Sequence, residues 1–471
     1  MSGNPAWLVA LFGPALLAIV SAALDRDARR VRAMAVGCAL VCSAAAMTAT
    51  LLPALTGLAE QAGASALRLD ALSQILLPLP PLLWLITVAV TPQAQLDRAG
   101  LGRTAAAAGA CMLGFLTEWP ALLAACWLLS SAVFLWGCSR GANPRTIRVL
   151  AVYHALGALL FGAGLVLCAI GELAAAGRWL IVAAVLLRKG IVPFHAWIPE
   201  AFDAARIGPT VLFSAPQLGT YVAATLVLPH ASAELLRVVA LLALGTSVYG
   251  AALALVQVEA RRALGYLFVS QSALVLAGLD CTSGEAVTGA VVLWLASALA
   301  FTGLARTVLC LEARRGRLRL TEHHGGFDQM PLLAASFLLF GLASSGFPGT
   351  LGFVVQELLV HGAVQSFPAM GFLTIAAASL TALAVLRMYF SLFCGRPGGW
   401  VALSLRRRES VVFAGIALVL VLAGMVPGPV VRPCVRASEL LLVRAGARAH
   451  APGQPALPAV APPRAEEPLA R

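Results

Sequence analysis

Charge is scarce in this chain: 11% of its 471 residues are charged, against 60% that are hydrophobic. No soluble core of this length needs so much apolar surface, and a mean hydropathy of +0.89 places the chain among polytopic membrane proteins. Lysine is nearly missing. Lys189 is the single lysine, and every other strong base is an arginine. Among the 10 cysteines no CxxC and no Cys/His ligand spacing occurs, so they read as small buried hydrophobes, not as a metal site or a disulfide set. Walker, GxSxG and dinucleotide fingerprints are absent from any usable context, which leaves no expected cofactor and no catalysis by the chain alone. The net charge of +12 would suggest nucleic acid, but the arginines sit between apolar runs, so the expected surroundings are a lipid bilayer and no nucleic acid. The first run, Trp7 to Leu24, lacks a basic flank and a small-residue cleavage site and reads as a retained helix.

What is present is a succession of apolar runs, each near the length of about 20 residues that crosses a bilayer. They fall near 5–24, 31–55, 71–92, 101–117, 119–138, 148–170, 178–199, 206–229, 234–257, 263–280, 284–311, 329–366, 369–394 and 410–430. The twelfth is too long for one straight span and contains Ser345-Gly346-Phe347-Pro348-Gly349-Thr350, so it reads as a broken helix. The expected fold is therefore all-α and polytopic, with about 14 transmembrane helices. Arginines concentrate in the odd-to-even connections, for example Arg145 and Arg407, which makes those loops cytoplasmic and both termini external. The proline-rich tail from about Gly446 has no apolar periodicity and reads as disordered.

Two interruptions stand out, Val192-Pro193 in the seventh run and Phe347-Pro348-Gly349 in the twelfth. Five spans separate them, and an odd number inverts a repeated unit across the membrane. Corresponding broken helices in inverted repeats point to an ion path near the midplane, although a proline can also be a plain kink. An ionisable group at that depth costs about 2.5–3.5 kcal/mol on insertion scales, so each one needs a reason. Arg188 and Lys189 are adjacent, and only the lysine can release its proton. His195 lies close to two helical turns beyond Lys189 if the helix continues; it reads equally as a packing histidine. Gln356 and Glu357 follow the second break, Glu357 as a relay or as an acid facing water. Gln217 and His154 add polar groups within the eighth and sixth runs, while Glu200, Asp203 and Glu118 read as solvated helix-end acids.

The run from Arg188 through Val192-Pro193-Phe194-His195-Ala196-Trp197-Ile198-Pro199-Glu200 to Gly208-Pro209-Thr210 resembles the signature of the antiporter-like subunits of respiratory complex I, shared with Mrp-type antiporters and membrane-bound hydrogenases. Asp70-Ala71-Leu72-Ser73, Arg261-Arg262 with Ser270-Gln271, Phe347-Pro348-Gly349-Thr350-Leu351-Gly352-Phe353 and Leu386-Arg387-Met388-Tyr389 agree with it. The resemblance implies N-terminal helices over 1–100, inverted five-helix repeats over 101–229 and 230–396, a fourteenth helix with its flank over 397–445, and the tail 446–471. It also implies a proton path with a glutamate on the fifth span, a lysine on the seventh, and further ionisable groups on the eighth, eleventh and twelfth. Carried over residue by residue, those places fall on Leu128, Arg188 with Lys189 next to it, Gln217, about Phe301, and Gln356 with Glu357 next to it. The implied function is proton or cation translocation within a complex I-like, hydrogenase-like or Mrp-like assembly of integral membrane subunits, in the cell's inner membrane. Two alternatives are a non-pumping membrane anchor of such a complex and the membrane subunit of an inorganic-carbon uptake system. A peripheral redox or carbonic-anhydrase-like partner would accompany them.

Overall fold

The computed structural model describes residues 5–52, 67–281, 283–366, 368–395 and 405–449. Helices follow one another with short turns: α1 (Pro5–Leu24), α2 (Ala28–Leu51), α3 (Ala71–Leu76), α4 (Leu79–Val90), α5 (Arg98–Phe115), α6 (Pro120–Cys138) and α7 (Pro144–Ala169). The middle of the chain forms α8 (Ala174–Lys189), α9 (Trp197–Ala204), α10 (Ile207–Ser214), α11 (Leu218–Val222), α12 (Ala233–Val256), α13 (Ala260–Asp280) and α14 (Gly284–Arg315). Then come α15 (Pro331–Ser345), α16 (Leu351–Ser366), α17 (Pro368–Phe393), α18 (Arg407–Met425) and α19 (Gly428–Ala449). Twelve helical segments are long and apolar enough to cross a membrane, and the shorter α15 and α16 form the two halves of the twelfth run. With α5 as the fourth, every apolar run of the sequence coincides with a helical segment.

Burial is uneven along the bundle. In α13 and α14, 94% of the apolar window is buried, whereas α1, α7 and α18 each bury 28%. The first pair therefore forms the axis, and the others present apolar faces outward, as a protein without a water-facing flank requires.

Both expected breaks are present. α8 ends at Gly190, whose φ of 66° lies in the left-handed region that favours glycine. The carbonyls freed there are taken up at once: Leu186 O accepts from Ile191 N at 2.9 Å, and Leu187 O accepts from Gly190 N at 3.2 Å and from Trp197 Nε1 at 2.8 Å. α15 ends similarly at Gly346, with φ 93°. A Cβ at Gly352 would stand 1.9 Å from Ala343 O, so the second break closes only because that residue has none.

Ion pairs tie the connections together at one end of the bundle. Arg261 meets Glu312 at 2.6 Å, Arg314 meets Glu409 at 2.6 Å, and Arg317 meets Asp203 at 2.8 Å. Glu200 bonds Thr146 at 2.6 Å and pairs with Arg262 at 3.4 Å, so it and Asp203 are engaged in pairs and not merely solvated. At the other end lies α19, where the sequence suggested only a flank and the start of a tail. Cys434, Ala437, Ser438 and Leu441 form its buried stripe at helical spacing, Ser438 Oγ is 2.6 Å from Thr288 Oγ1, and Arg444 reaches Asp70 at 3.3 Å and Glu118 at 2.6 Å. Arginines on its outer face conceal the stripe in a hydropathy reading. Helix continues to Ala449; the rest of the expected disordered tail, 450–471, lies outside the described residues, as does the end of the second run, 53–55.

The α15–α17 crossing depends on the absence of one side chain. A Cβ at Gly341 would stand 2.2 Å from Val385 Cγ1, whereas one at Gly415 of α18 meets nothing within 4 Å. Gly341→Val is expected to destabilise by about 1–3 kcal/mol or more through overpacking. Gly415→Ala is expected to be neutral or to stabilise by up to about 1 kcal/mol. Thermal melting of the two detergent-solubilised variants by size-exclusion chromatography measures the difference.

Candidate proton-path site

Arg188 and Lys189 end α8 side by side, yet they serve different neighbours. Helical rotation sends Arg188 toward α6, where Nη2 donates to Ser130 Oγ at 2.8 Å and Nη1 donates to Ser131 Oγ at 3.0 Å. Its guanidinium also lies between two rings, 4.4 Å from the centroid of Trp127 and 4.7 Å from that of Phe213. A desolvated cation–π contact contributes about 2 kcal/mol, so two rings and two hydroxyls offset much of the cost of burying this charge. Arg188 is a fixed, clamped cation. Leu128, where the resemblance implies an acid, is 53% exposed and turned away from it.

Lys189 is 3% exposed and points to α11. Its Nζ donates to Gln217 Oε1 at 2.7 Å and to Thr220 Oγ1, both neutral acceptors. Gln217 holds this position at a backbone cost. It has φ 53° and ψ 51°, the one non-glycine with positive φ among the described residues, a conformation that costs an ordinary side chain roughly 1–2 kcal/mol. Two contacts hold the bend: Trp294 Nε1 donates to Pro216 O at 2.9 Å, and Thr220 N donates to Gln217 O at 2.8 Å. Ser272 Oγ of α13 approaches Gln217 Oε1 at 3.5 Å.

A cavity of about 20 Å3, counted as space open to the centre of a water molecule, is lined by Arg188, Lys189, Phe213, Gln217, Phe268 and Ser272. That is room for one water, since about 10–15 Å3 on this measure suffices and polar partners surround it. Phe213 also lines a larger cavity of about 60 Å3 that reaches Asp97, Arg103 and Arg206 in the ion-paired end of the bundle. The Phe213 ring stacks on Phe134 with centroids 4.3 Å apart and stands between the two spaces.

His154 belongs to the same neighbourhood. It is buried among Phe134, Trp197 and Phe213, with centroids at 5.6, 4.9 and 5.3 Å. Four of the residues singled out from sequence, Arg188, Lys189, Gln217 and His154, thus converge. His195 does not join them, because the helix stops at Gly190; the imidazole turns to Tyr249 and Tyr266, with centroids at 5.3 and 6.3 Å. Gln356 and Glu357 form a separate group. Gln356 packs on Gly346, where a Cβ would meet its Cγ at 2.4 Å, and Glu357 is exposed in an open cleft of about 560 Å3 beside the second break. Between the two groups Phe301 is buried against Phe202 and Phe268, centroids 5.5 and 5.1 Å away.

Several contributors were invisible in the sequence. Ser130, Ser131 and Thr220 are ordinary membrane-helix hydroxyls until Arg188 and Lys189 are placed. Arg306 of α14 did carry a signal, being a lone cation within an apolar run. It is 0% exposed and donates from Nη2 to Thr87 Oγ1 at 2.7 Å and Gly208 O at 3.2 Å, holding the start of α10. Asp280, at the end of α13, is buried as well.

Residues 103–383 match the family described as NADH:quinone oxidoreductase/Mrp antiporter, transmembrane. NADH-quinone oxidoreductase subunit M of Pseudomonas aeruginosa is 30% identical over 268 residues, which cover 54% of this chain and 52% of that protein. The chain thus matches about half the length of the curated relatives. Among solved structures, a chain of the Mrp complex from Dietzia sp. superposes with a TM-score of 0.84 at 17% identity, over 93% of this chain and 97% of that one. A chain of respiratory complex I from Thermus thermophilus with bound NADH gives 0.82 at 21% identity, over 93% and 100%. At such identities the likeness concerns the fold.

The clamp on Arg188 makes a definite claim about substitution. A lysine at 188, the residue that the resemblance implies there, has no planar fork to bridge two hydroxyls between two rings. Arg188→Lys is therefore expected to cost about 1–3 kcal/mol, against about 1 kcal/mol for Ser131→Ala, which leaves the Ser130 bond and both rings in place. Melting temperatures of the two variants check the order.

Proposed function

Since this chain belongs to the NADH:quinone oxidoreductase/Mrp antiporter family of membrane proteins, we propose that it is a proton-translocating subunit of a multi-subunit complex in the cell's inner membrane. The observation that carries this reading is Lys189: a single lysine, buried at a helix break, hydrogen-bonded only to neutral groups and beside a cavity with room for one water. A lysine that serves only to pack or to fix a charge does not need such a setting, and Arg188 next to it already supplies a clamped charge. The amine of Lys189 takes up a proton through the water-sized space, holds it against Gln217 and Thr220, and releases it onward. Arg188, which cannot release its proton, keeps the local potential positive and biases Lys189 toward release. Phe213 limits passage from the larger cavity to this space.

Further elements of the reading follow from the breaks and the loops. The interruptions at Gly190 and Gly346 support two inverted five-helix units over 101–229 and 230–396, preceded by residues 1–100. The ion-paired end carrying Arg206, Arg261 and Arg314 is the cytoplasmic end by the positive-inside rule. The end crossed by α19 is then external. Other integral membrane subunits are the expected partners, in line with the complexes named for the solved relatives.

Lys189→Arg keeps the charge and removes its release, so ion flux in proteoliposomes of the assembled complex should fall to the level of empty vesicles in this variant and in Lys189→Ala alike. Native gels should show that the arginine variant still assembles. Full flux in Lys189→Arg would reduce the lysine to a fixed charge and overturn its role as a proton carrier.

Orientation is checked separately. Tags inserted near Arg145 and Arg407 should be protected from protease in intact spheroplasts, and a tag at the C-terminus should be cleaved. Protection of the C-terminal tag would overturn the assigned orientation.

A further inference from the structure

Positive charge is left over at the mouth of the larger cavity. Elsewhere at this end of the bundle Arg261, Arg314 and Arg317 each meet a carboxylate at 2.6–2.8 Å. Here Asp97 is shared between Arg103 at 3.2 Å and Arg206 at 4.0 Å, and it also caps α5, accepting from Ala99 N at 3.2 Å and Gly100 N at 3.1 Å. Arg140, just beyond α6, has no ion pair among the described residues. Its guanidinium lies 5.8 Å from the centroid of Trp136, and that of Arg103 lies 5.6 Å from the same ring.

Arg103 sits five residues into α5, about 7.5 Å along the helix, and its side chain turns back to Asp97. It lines the cavity, is 9% exposed, and its Nη1 is enclosed without a hydrogen-bond partner. A Cβ added at Gly100 would lie 3.3 Å from Asp97 Oδ2, 3.5 Å from Arg103 Nη2 and 3.6 Å from Arg206 Nη1. The two guanidinium groups therefore converge on a point that a glycine leaves free.

Behind this mouth the cavity is apolar. Its threonines, Thr87, Thr91, Thr104 and Thr210, each donate to a carbonyl three or four residues back at 2.6–2.9 Å, so none has a donor left for a ligand. Leu101, Leu212 and Phe213 supply much of the remaining wall. Between α5 and α6 that wall is thin: Ala107, Val133 and Gly137 line the cavity yet are only half-buried. Trp136 next to them is 55% exposed, an amphipathic ring of the kind that marks a membrane–water interface.

A free anion gains nothing from such a wall, and a neutral tail gains nothing from such a mouth. We propose that the cavity and its arginines form a site for an anionic phospholipid, with the phosphate held by Arg103 and Arg206 and one acyl chain running in past Ala107 and Val133 toward Phe213. Guanidinium groups grip phosphate oxygens in a fork, and basic pockets between transmembrane helices suit anionic headgroups. The space of about 60 Å3 holds roughly four to six waters on the same measure, which is room for the inner part of one chain and not of two. The chain backs the Phe213 ring on the side away from Lys189 and adds to the barrier that the ring already forms. The site does not depend on proton translocation, and its test reads binding alone.

The full-length chain in a neutral detergent is titrated with phosphatidylglycerol or phosphatidylcholine, and bound lipid is counted by native mass spectrometry. One phosphatidylglycerol should be held more tightly than any phosphatidylcholine, and excess inorganic phosphate should not displace it. Arg206→Gln should weaken it about fivefold, and Arg103→Gln at least about tenfold. Ala107→Leu, which keeps every charge and narrows the cavity, should weaken it as well, whereas Arg432→Gln, an exposed change on α19, should not. Equal affinity for phosphatidylcholine, or displacement by phosphate, would overturn the site. So would unchanged affinity in Arg206→Gln or Ala107→Leu, or an equal loss in Arg432→Gln. If Arg103→Gln fails to fold, Arg206→Gln and Ala107→Leu still decide.

Discussion

Two cations at the end of a helix, in an interior too apolar to solvate them, set the terms for the structure around α8. The helix stops there, and its last carbonyls and the two charges all find partners around the break. Gly190 supplies the left-handed residue, and Ile191, Trp197 and Gly190 itself take up the freed carbonyls. The last turn is also where a helix dipole favours positive charge, so the break lowers the cost of Arg188 and Lys189 as well as exposing them. Around that point α6 contributes hydroxyls and a ring, α10 a second ring, and α11 the acceptors for lysine.

The arginines and the one lysine divide the work by chemistry. Arg188 and Arg306 are both deeply buried and both locked to hydroxyls or carbonyls on other helices, Arg188 joining α8 to α6 and Arg306 joining α14 to α4 and α10. A guanidinium suits that role because it binds in a fork and does not lose its charge. Arg261 and Arg314 do the same at the bundle end with carboxylates. Lys189 also has neutral acceptors and shares its water-sized space with Arg188, but of these cations a lysine alone can give up its proton.

Much of this was legible in the sequence, and what was not has a physical cause. Span number and the two breaks follow from apolar length and from Gly-Pro chemistry, which act locally. Lys189 and Gln217 could be singled out because a polar group in an apolar run is conspicuous on its own. Pairings could not, since they depend on helix rotation: Ser130 and Ser131 face Arg188 while Leu128, three residues or fewer away, faces outward. For His195 the sequence left two readings open, and the break after Lys189 leaves it with the packing one, against Tyr249 and Tyr266. Asp280 and α19 were hidden for a shared reason. Charge near the end of an apolar run reads as solvated, and only the packing of another element over it shows otherwise.

The two breaks also show that backbone shape and charge can be retained independently. At Gly346 the turn is held by steric need, with Gly352 against Ala343 O and Gln356 folded onto the glycine, and no ion is required to keep it. At Gly190 the turn is held by Ile191 N and Trp197 Nε1 on the last carbonyls of α8, and a Cβ there would stand 2.4 Å from Ile198 Cδ1. α16 carries no buried ion at its break: a glutamine lies against Gly346, and Glu357 is turned to an open cleft. Lys189, the single lysine of the chain, is a buried cation at the end of α8 with Gln217 and Thr220 to receive its hydrogen bonds.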